Sequence, residues 1–275
     1  MILPASYSNG FAPRDGQPLY PELWRGCVGA WAPCLGPTGV TLRDWSGFGN
    51  HGTLTNMDAA GDWVPSQGRY TLDFDGTDDV VAVGNAPSLQ FNFTDRFSFS
   101  AWIKTTATTG GIIGKRSTTG WYFTIDGANI ISLVLQGTGV TAIIVNSVAS
   151  GVSDGNWHHV AATYRGNSSA SGISMFVDGR QVSTTTVLNT VAGTCINTDA
   201  VAIGGVSTTT FRFTGQIDDC RAYSGVLQSS QIRLLSLRRG IAYELAPRRR
   251  SRVFTGGFKA YWAARKALIQ MAGSN

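Results

Sequence analysis

The sequence predicts an all-β protein, built as a two-sheet antiparallel sandwich with an extended N-terminal arm and short C-terminal helices. Glycine is abundant, at 34 of 275 residues, and charged residues make up only 14% of the chain. Short apolar segments with alternating polar residues recur along the chain, and Gly- and Asp-containing turns separate them. No stretch approaches the ~18–20 apolar residues that a membrane span requires.

The predicted strands begin at Cys27, after residues 1–26, whose lack of periodicity predicts an extended arm. The segment FSFSAWI shows the strand pattern best, because its Phe and Ile residues fall on one face and its Ser residues on the other. In FVDGRQV, Asp178-Gly179 predicts a two-residue hairpin turn of the primed type. The predicted strands are Cys27–Trp31, Tyr70–Phe74, Val80–Val83, Phe97–Ile103, Gly111–Lys115, Trp121–Ile125, Ile130–Leu135, Thr141–Asn146, Trp157–Tyr164, Ile173–Val177, Val201–Ile203 and Phe211–Tyr223.

The C-terminal part of the chain differs from the rest in charge. From Arg233 to the end there are ten Lys and Arg residues and one acid, Glu244, whereas the preceding residues hold twelve bases and sixteen acids. A helix is predicted from about Gln228, and the sandwich domain is predicted over 27–240. Residues 241–275 are predicted to form a basic arm and an amphipathic helix, with the anchoring side chains Arg248, Arg249, Arg250, Arg252, Phe258, Tyr261, Trp262 and Leu268.

The four cysteines leave two interpretations open. Cys27 and Cys34 lie close enough in sequence to form a disulfide, but the apolar residues between them predict a strand. Free buried thiols are the favoured interpretation, and they fit synthesis in a reducing cytoplasm. No Cys-x-x-Cys pair is present, so a structural zinc site is not expected.

Four phrases join acidic, Gly-rich turns to short apolar strands: DWSGFGNHGTL from Asp44, LDFDGTDDVV from Leu72, DGNWHHVAATY from Asp154 and GQIDDCRAYSGVL from Gly215. In this order and spacing, over roughly residues 28–235, they resemble the laminin G-like, concanavalin A-like jelly-roll family in its microbial and phage version. The resemblance implies a jelly-roll sandwich whose acidic loops gather at its rims. Because this family includes glycan binders, adhesion modules and structural parts, the resemblance implies no single function.

The resemblance also implies a calcium ion at the rim, held by Asp side chains and loop carbonyls. Asp residues on flexible turns offer the hard oxygen ligands that calcium prefers. Asp75, Asp79 and Asp218 are the favoured donors, and Asp44 and Asn50 are further candidates. The alternative is that these residues cap their own turns through backbone hydrogen bonds.

Tryptophan rings are candidate stacking surfaces for sugars. Trp121 is the leading candidate, because the Thr and Gly residues before it predict a loop, and Trp45 and Trp63 are weaker candidates. Most tryptophans fall in strand patterns and are interpreted as core. His158 and His159 are neighbours on a predicted strand, so one points inward and the other outward, and both are interpreted as structural.

The sequence contains no arrangement typical of catalysis. Its only glutamates are Glu22 and Glu244, both outside the predicted sandwich, so the paired glutamates of glucanases of this general fold have no counterpart. No GxSxG, HExxH or Walker-type loop is present. The adjacent aspartates at 78–79 and 218–219 diverge and do not suit an acid and base pair. We therefore expect a non-enzymatic protein.

The favoured functional hypothesis is a structural or display protein of a large assembly, a bacteriophage virion made in the host cytoplasm. The basic arm would anchor it to other copies and to other virion proteins, and the jelly roll would be exposed for adhesion or glycan contact. This hypothesis rests on the lack of a secretory signal pattern, on the unpaired cysteines and on the family's use in phage particles, which the resemblance implies. Sequence-specific nucleic-acid binding is not expected, because no known module accompanies the basic residues. The alternative is a secreted or cell-surface, calcium-dependent carbohydrate-binding lectin module.

Overall fold

The computed structural model of the protein describes residues 18–127, 129–148 and 150–245. They form two antiparallel β-sheets packed face to face, which confirms the predicted jelly-roll sandwich. The predicted anchoring side chains, from Arg248 to Leu268, lie outside the described residues. The strands are β1 (Cys27–Trp31), β2 (Thr41–Leu42), β3 (Gly52–Thr55), β4 (Trp63–Ser66), β5 (Arg69–Asp75), β6 (Val80–Gly84), β7 (Phe97–Lys104), β8 (Gly110–Arg116), β9 (Gly120–Ile125), β10 (Ile131–Gln136), β11 (Ala142–Ser147), β12 (Trp157–Tyr164), β13 (Ile173–Val177), β14 (Arg180–Val182), β15 (Thr184–Asn189), β16 (Val201–Ile203) and β17 (Thr214–Tyr223).

Helical segments are few and short. The helix α1 (Ser229–Leu235) follows β17 and begins where the sequence predicts it, with Gln228 and Gln231 forming a reciprocal capping box. Among the described residues, no helix has the length and apolar content that crossing a bilayer requires. Single 3-10 turns occupy Pro21–Trp24, Pro33–Leu35, Pro87–Leu89, Ala170–Gly172 and Ile241–Tyr243.

The two sheets contain eight and nine strands. The eight-stranded sheet has the order β14-β13-β12-β7-β17-β5-β4, and β1 also pairs with β17. Residues 214–217 of β17 pair with β5 and residues 220–223 pair with β1, so two strands share one edge of β17. A bulge in the pairing of β17 with β7 falls between Asp218 and Arg221. At this point the partner on the other edge of β17 changes from β5 to β1. The nine-stranded sheet has the order β15-β11-β10-β9-β8-β16-β6-β3-β2.

The main core lies between the sheets and is rich in aromatic rings. Phe97, Phe99 and Ile103 of β7 lie in this core, as their alternation predicts, but Ser98 and Ser100 between them are buried as well, so both faces of β7 are covered. Phe91 stacks on Phe97 with 4.9 Å between ring centroids. Each such side chain contributes about 1.5–3 kcal/mol through removal of apolar area from water, so this layer dominates the stability of the sandwich.

A second apolar cluster covers part of the outer face of the eight-stranded sheet. We call it the cap, and it consists of the turn Pro21–Trp24, helix α1 and the turn Ile241–Tyr243 packed over Phe176 and Tyr223. The Trp24 indole N–H donates to the Ala242 carbonyl at 2.9 Å and joins the two turns. Leu23 and Ile241 are buried here, so the chain on both sides of the predicted domain 27–240 continues into packed structure.

The two ends of the described domain lie side by side. Pro18 and Leu245 form an antiparallel bridge, and the Leu19 amide donates to the Glu244 carbonyl at 2.7 Å. The first and last of the described residues therefore meet at one place, beside the cap.

All four cysteines are buried and free, which confirms the favoured interpretation. Burial raises the pKa of the Cys27 and Cys195 thiols to about 12. At neutral pH these thiols stay protonated, and a protonated buried thiol is an inert core group rather than a nucleophile.

Candidate functional site

The tryptophan predicted as the leading sugar platform is part of the core. Trp121 lies in β9 with 1% of its surface exposed, and its ring stacks on Phe99 at 4.5 Å between centroids. The prediction of an exposed Trp121 is therefore wrong. The preceding Gly120 does not end a loop at the surface but starts the strand, with φ of +139°, a value that L-residues rarely adopt.

The two weaker tryptophan candidates, Trp63 and Trp45, also make contacts within the protein. Trp63 is buried, and its indole N–H donates to the Gly39 carbonyl at 2.9 Å. The prediction of Trp63 as a sugar-stacking surface is therefore wrong. Trp45 is half-buried, with its ring 6.4 Å from Tyr243 and the Arg43 guanidinium 5.1 Å from its centroid. A sugar contact at Trp45 stays a prediction.

Asp44 and Asn50 form a buried turn and not a metal site. The Asp44 carboxylate accepts the backbone N–H groups of Ala30, Ser46 and Asn50 at 2.8–2.9 Å, and the Ser46 hydroxyl at 2.7 Å. The Asn50 side chain donates to the Val28 carbonyl at 2.7 Å. Because four donors occupy the two Asp44 oxygens, the calcium prediction is wrong for these two residues, and the turn-capping alternative describes them.

Asp218 is separated from the other predicted calcium donors. It lies within β17 and is fully buried, and its Oδ1 accepts the backbone N–H groups of Cys34 and Asp219 at 3.0 and 2.7 Å. Its Oδ2 lies 3.3 Å from Nη1 of Arg239. Burial and the neighbouring Asp219 raise the pKa of Asp218 to about 7, against the lowering effect of Arg239. The prediction of a rim position for Asp218 is wrong.

A second buried ion pair ties the cap to the sheet. Asp219 Oδ1 accepts from Nε of Arg221 at 2.8 Å, and Asp219 Oδ2 accepts the Gly240 N–H at 3.1 Å. The Arg221 guanidinium lies 4.9 Å from the centroid of Trp24 and 4.7 Å from that of Tyr243, which is cation–π geometry. These charges are fully buried, so their role is to hold elements together and not to contact a ligand.

Asp75 and Asp79, the remaining predicted calcium donors, do meet at the rim, on the turn between β5 and β6, and Asp78 joins them. Carboxylate oxygens of Asp75, Asp78 and Asp79 all lie within 4.8 Å of one another. Asp75 Oδ1 accepts the Thr77 N–H at 2.7 Å, and Asp79 Oδ2 accepts the Asp75 N–H at 2.9 Å. Hydrogen bonding from Thr77 lowers the pKa of Asp75, whereas burial raises the pKa of Asp79. We call this group the acidic rim.

A groove of about 320 Å³ opens on the outer face of the eight-stranded sheet, beside the cap. Its floor contains Thr163 and Ser174, which are cross-strand partners on β12 and β13, and Phe176, two residues further along β13. Gln181 of β14 and Gln228 at the start of α1 add amide groups to its lining. We call this feature the polar groove.

One wall of the polar groove is the loop that leads from β17 to α1. The Ser98 hydroxyl, on the outer face of β7, donates to the Gly225 carbonyl at 2.8 Å and accepts the Leu227 N–H at 3.0 Å. These two bonds hold the loop over the sheet, and Leu227 packs into the cap. The wall is thus fixed by the fold before any ligand arrives, which favours binding.

Two arginines form one end of the polar groove. Tyr164 of β12 pairs with Phe97 of β7, and the next residues outward, Arg165 and Arg96, both line the groove. Because Tyr164 and Phe97 point into the core, the alternation of the strands turns both arginines to the outer face. This site could not be predicted from the sequence, since its residues come from four separate segments and share no motif.

The adjacent histidines have opposite environments, as predicted. His158 is half-buried between two carboxylates, with Nε2 3.0 Å from Asp154 Oδ1 and Nδ1 2.9 Å from Asp178 Oδ2. His159 is fully buried against Trp102, with 5.5 Å between ring centroids. Burial lowers the pKa of His158, but the bonds from Asp178 and Asp154 outweigh it and leave the pKa raised. Burial, with a smaller contribution from the Arg221 charge, lowers the pKa of His159 to about 4, against the raising effect of Asp219 and Asp178.

We expect the two histidines to give the protein a stability maximum near the ordinary histidine pKa of about 6.5. The raised pKa of His158 adds stability that is complete below about 6.5 and is lost as pH rises through its folded pKa. The lowered pKa of His159 adds stability that is complete above about 6.5 and is lost as pH falls towards 4. His158→Gln should lower the melting temperature most at about pH 5–6 and little at pH 9. An equal loss at all pH values would contradict a charged His158.

Comparison with known proteins assigns the fold to a family. Residues 75–233, more than half of the chain, match the family described as the concanavalin A-like lectin/glucanases superfamily. The chain belongs to this superfamily. The matched residues include both arginines and the floor of the polar groove. The turn Pro21–Trp24, β1 and the turn Ile241–Tyr243 lie outside the match.

Solved structures show a similar fold. The chain is similar to the binding domain of Paraclostridial Mosquitocidal Protein 1, at 13% identity and a TM-score of 0.58, over 78% of this chain and 52% of that one. It is similar to the receptor binding domain of botulinum neurotoxin D, at 14% identity and a TM-score of 0.57, over 78% and 53%. It is also similar to Trypanosoma rangeli sialidase in complex with sialic acid, at 17% identity and a TM-score of 0.53, over 77% and 33%.

These likenesses show the fold alone. The chain spans about half the length of the toxin binding domains that it matches and a third of the sialidase. A search of curated proteins gave no significant match.

Proposed function

We propose that this superfamily member is a non-enzymatic carbohydrate-binding module that a large assembly, a bacteriophage virion, displays for adhesion. The polar groove is the observation that carries the binding proposal. Its volume of about 320 Å³ falls at the lower end of ligand pockets and suits one or two sugar rings. Hydroxyl groups of Thr163 and Ser174 and amide groups of Gln181 and Gln228 can exchange hydrogen bonds with sugar hydroxyls.

The comparisons support the choice of a carbohydrate ligand. The superfamily is described by its lectins and glucanases, and the similar structures are named as receptor-binding domains and a sialidase. Between these activities, binding is favoured over catalysis, because the charged groups that line the groove are arginines. Sugar hydrolysis in most families requires a pair of carboxyl groups.

The proposed anchor is the basic arm. Residues 246–275 hold seven Lys and Arg residues and no acid, with Phe, Tyr and Trp side chains between them, a composition suited to an acidic protein surface in the assembly. The four buried free thiols support synthesis in a reducing cytoplasm.

Removal of residues 246–275 should separate display from binding. We expect the protein ending at Leu245 to fold, to bind the same glycans on an array and to lose self-association and incorporation into particles. Sedimentation of the full and shortened proteins, side by side with the array, measures both properties. Normal assembly of the shortened protein would contradict the anchor, and an empty array for the full protein would contradict carbohydrate binding.

The acidic rim favours a second candidate, a calcium-dependent lectin. Three carboxylates within 4.8 Å of one another fit calcium, which takes hard oxygen ligands, and the ion when bound would neutralise their mutual repulsion. Asp75, Asp78 and Asp79 are the proposed ligands.

Calcium at a hundredfold excess over its dissociation constant should raise the free energy of unfolding by about 2.7 kcal/mol. Asp78→Asn should remove most of the gain, and Asp126→Asn, a change of another exposed aspartate, should leave it intact. Melting curves in calcium and in EDTA measure the effect. Coincident curves for the unchanged protein would rule out this candidate.

A further inference from the structure

We propose that Arg96 and Arg165 bind the acidic group of a saccharide, so that the polar groove selects a carboxylated or sulfated sugar. The inference rests on the proposed carbohydrate binding and specifies its ligand class. The site lies on the outer face of the eight-stranded sheet, at the ends of β7 and β12.

The two arginines bring like charges together across the sheet. Tyr164, the last residue of β12, pairs with Phe97, the first residue of β7, and Arg165 after Tyr164 and Arg96 before Phe97 come next on the outer face. Like charges opposite one another on neighbouring strands destabilise a sheet. An anion between the two guanidinium groups removes that repulsion, so the free protein is organised for a negatively charged ligand.

No acidic group of the described residues compensates these charges. Neither arginine takes part in an ion pair there. The nearest acid in sequence is Asp95, whose Oδ2 accepts the Asn92 N–H at 2.9 Å. This carboxylate therefore forms a hydrogen bond within its own turn. The guanidinium groups therefore keep their donors for a ligand, and a planar guanidinium matches the geometry of a carboxylate or a sulfate.

The remainder of the groove is neutral and polar. Thr163 and Ser174 on the floor and Gln228 at the start of α1 carry hydroxyl and amide groups, which suit the hydroxyls of a sugar ring joined to the anion. The groove is short and fixed on one side by the wall at Leu227. These dimensions favour a sugar of one or two rings over an extended phosphate polymer.

The test compares four proteins: the unchanged chain, Arg96→Gln, Arg165→Gln and Arg25→Gln. Arg25 is an exposed arginine that does not line the groove, so its variant is matched in charge. The probes are a sialylated trisaccharide, its neutral disaccharide counterpart, a sulfated heparin-derived disaccharide and a short single-stranded oligonucleotide. Calorimetry measures affinity, and melting curves without ligand measure stability.

We expect the unchanged protein to bind at least one acidic sugar more tightly than the neutral one, by about tenfold or more, in a salt-sensitive way. The two acidic probes show whether a carboxylate or a sulfate is preferred. Arg96→Gln and Arg165→Gln should each remove that preference, whereas Arg25→Gln should keep it. Each groove variant should also melt no lower than the unchanged protein without ligand, because a like-charge contact is removed.

The results that would overturn the inference fall into two kinds, which differ in what they say about carbohydrate binding itself. Equal affinity for the neutral and acidic sugars, unaffected by the arginine changes, refutes the anionic ligand but keeps the carbohydrate-binding function. Tighter binding of the oligonucleotide than of every sugar, or binding of no sugar at all, refutes both.

Discussion

Asp219→Asn is expected to lower the free energy of unfolding by about 3–5 kcal/mol, the cost of leaving one charge of a buried pair without its partner. Asp219 and Arg221 are both fully buried, and the carboxylate also accepts the Gly240 N–H that leads into the cap. Asparagine preserves the size of the side chain and tolerates the backbone φ of +43° at this position, so the change removes the charge and replaces one of the two accepting oxygens with an NH2 donor. Urea unfolding curves measure the loss.

A double-mutant cycle provides the control for this expectation. Adding Arg221→Met to Asp219→Asn removes the stranded cation, so the double variant should be more stable than the sum of the single changes predicts. The apolar side chain would still pack between Trp24 and Tyr243. Additive effects, or a change of less than about 1 kcal/mol for Asp219→Asn, would show that the pair is not what joins cap and sheet.

Trp121→Ala is expected to cost about 3–5 kcal/mol, as removal of a large aromatic side chain from a packed core does. The Trp121 ring packs against Phe99, at 4.5 Å, and Phe91, at 5.5 Å, so its loss leaves a cavity between the sheets. Trp121→Phe keeps part of the contact and should cost less. Denaturant unfolding measures both variants.

The same pair of variants distinguishes a core role from a sugar platform. Because Trp121 is 1% exposed, the Phe variant should bind glycans as tightly as the unchanged protein. A large loss of glycan affinity in a stable Phe variant would restore the platform hypothesis. A loss of stability without a loss of affinity supports the core position.

The strands with one buried face could be predicted from sequence, because alternation reports burial directly. The hairpin at Asp178 and Gly179 was equally accessible, and both residues have the positive φ values, 49° and 75°, that its turn type requires. β15 was missed, because its residues Thr184–Asn189 are almost all exposed and show no alternation. An edge strand held mainly by backbone hydrogen bonds leaves little trace in hydropathy.

The site was harder to predict, because its residues meet only through the sheet register. Arg96 and Arg165 are 69 positions apart in sequence, and only the pairing of Phe97 with Tyr164 brings them together. Asp218 was interpreted as a rim donor because it was assigned to a turn, whereas it lies within β17. Its partner, Arg239, comes 21 residues later and was assigned only to a basic segment. Sequence patterns report local burial, whereas charge partners depend on tertiary contacts.

The adjacent ends of the domain have a mechanical consequence. Because Pro18 and Leu245, the first and last of the described residues, are bridged, a force that separates the chain segments beyond them would act first on that bridge and the Leu19–Glu244 hydrogen bond. Such a force breaks these contacts one after another and acts on the cap before it acts on the sandwich. If both segments are held at one support, however, the sandwich itself bears no tension between its ends. A tethered domain of this kind can swivel about one point and can be inserted into a loop of another protein with little closure entropy.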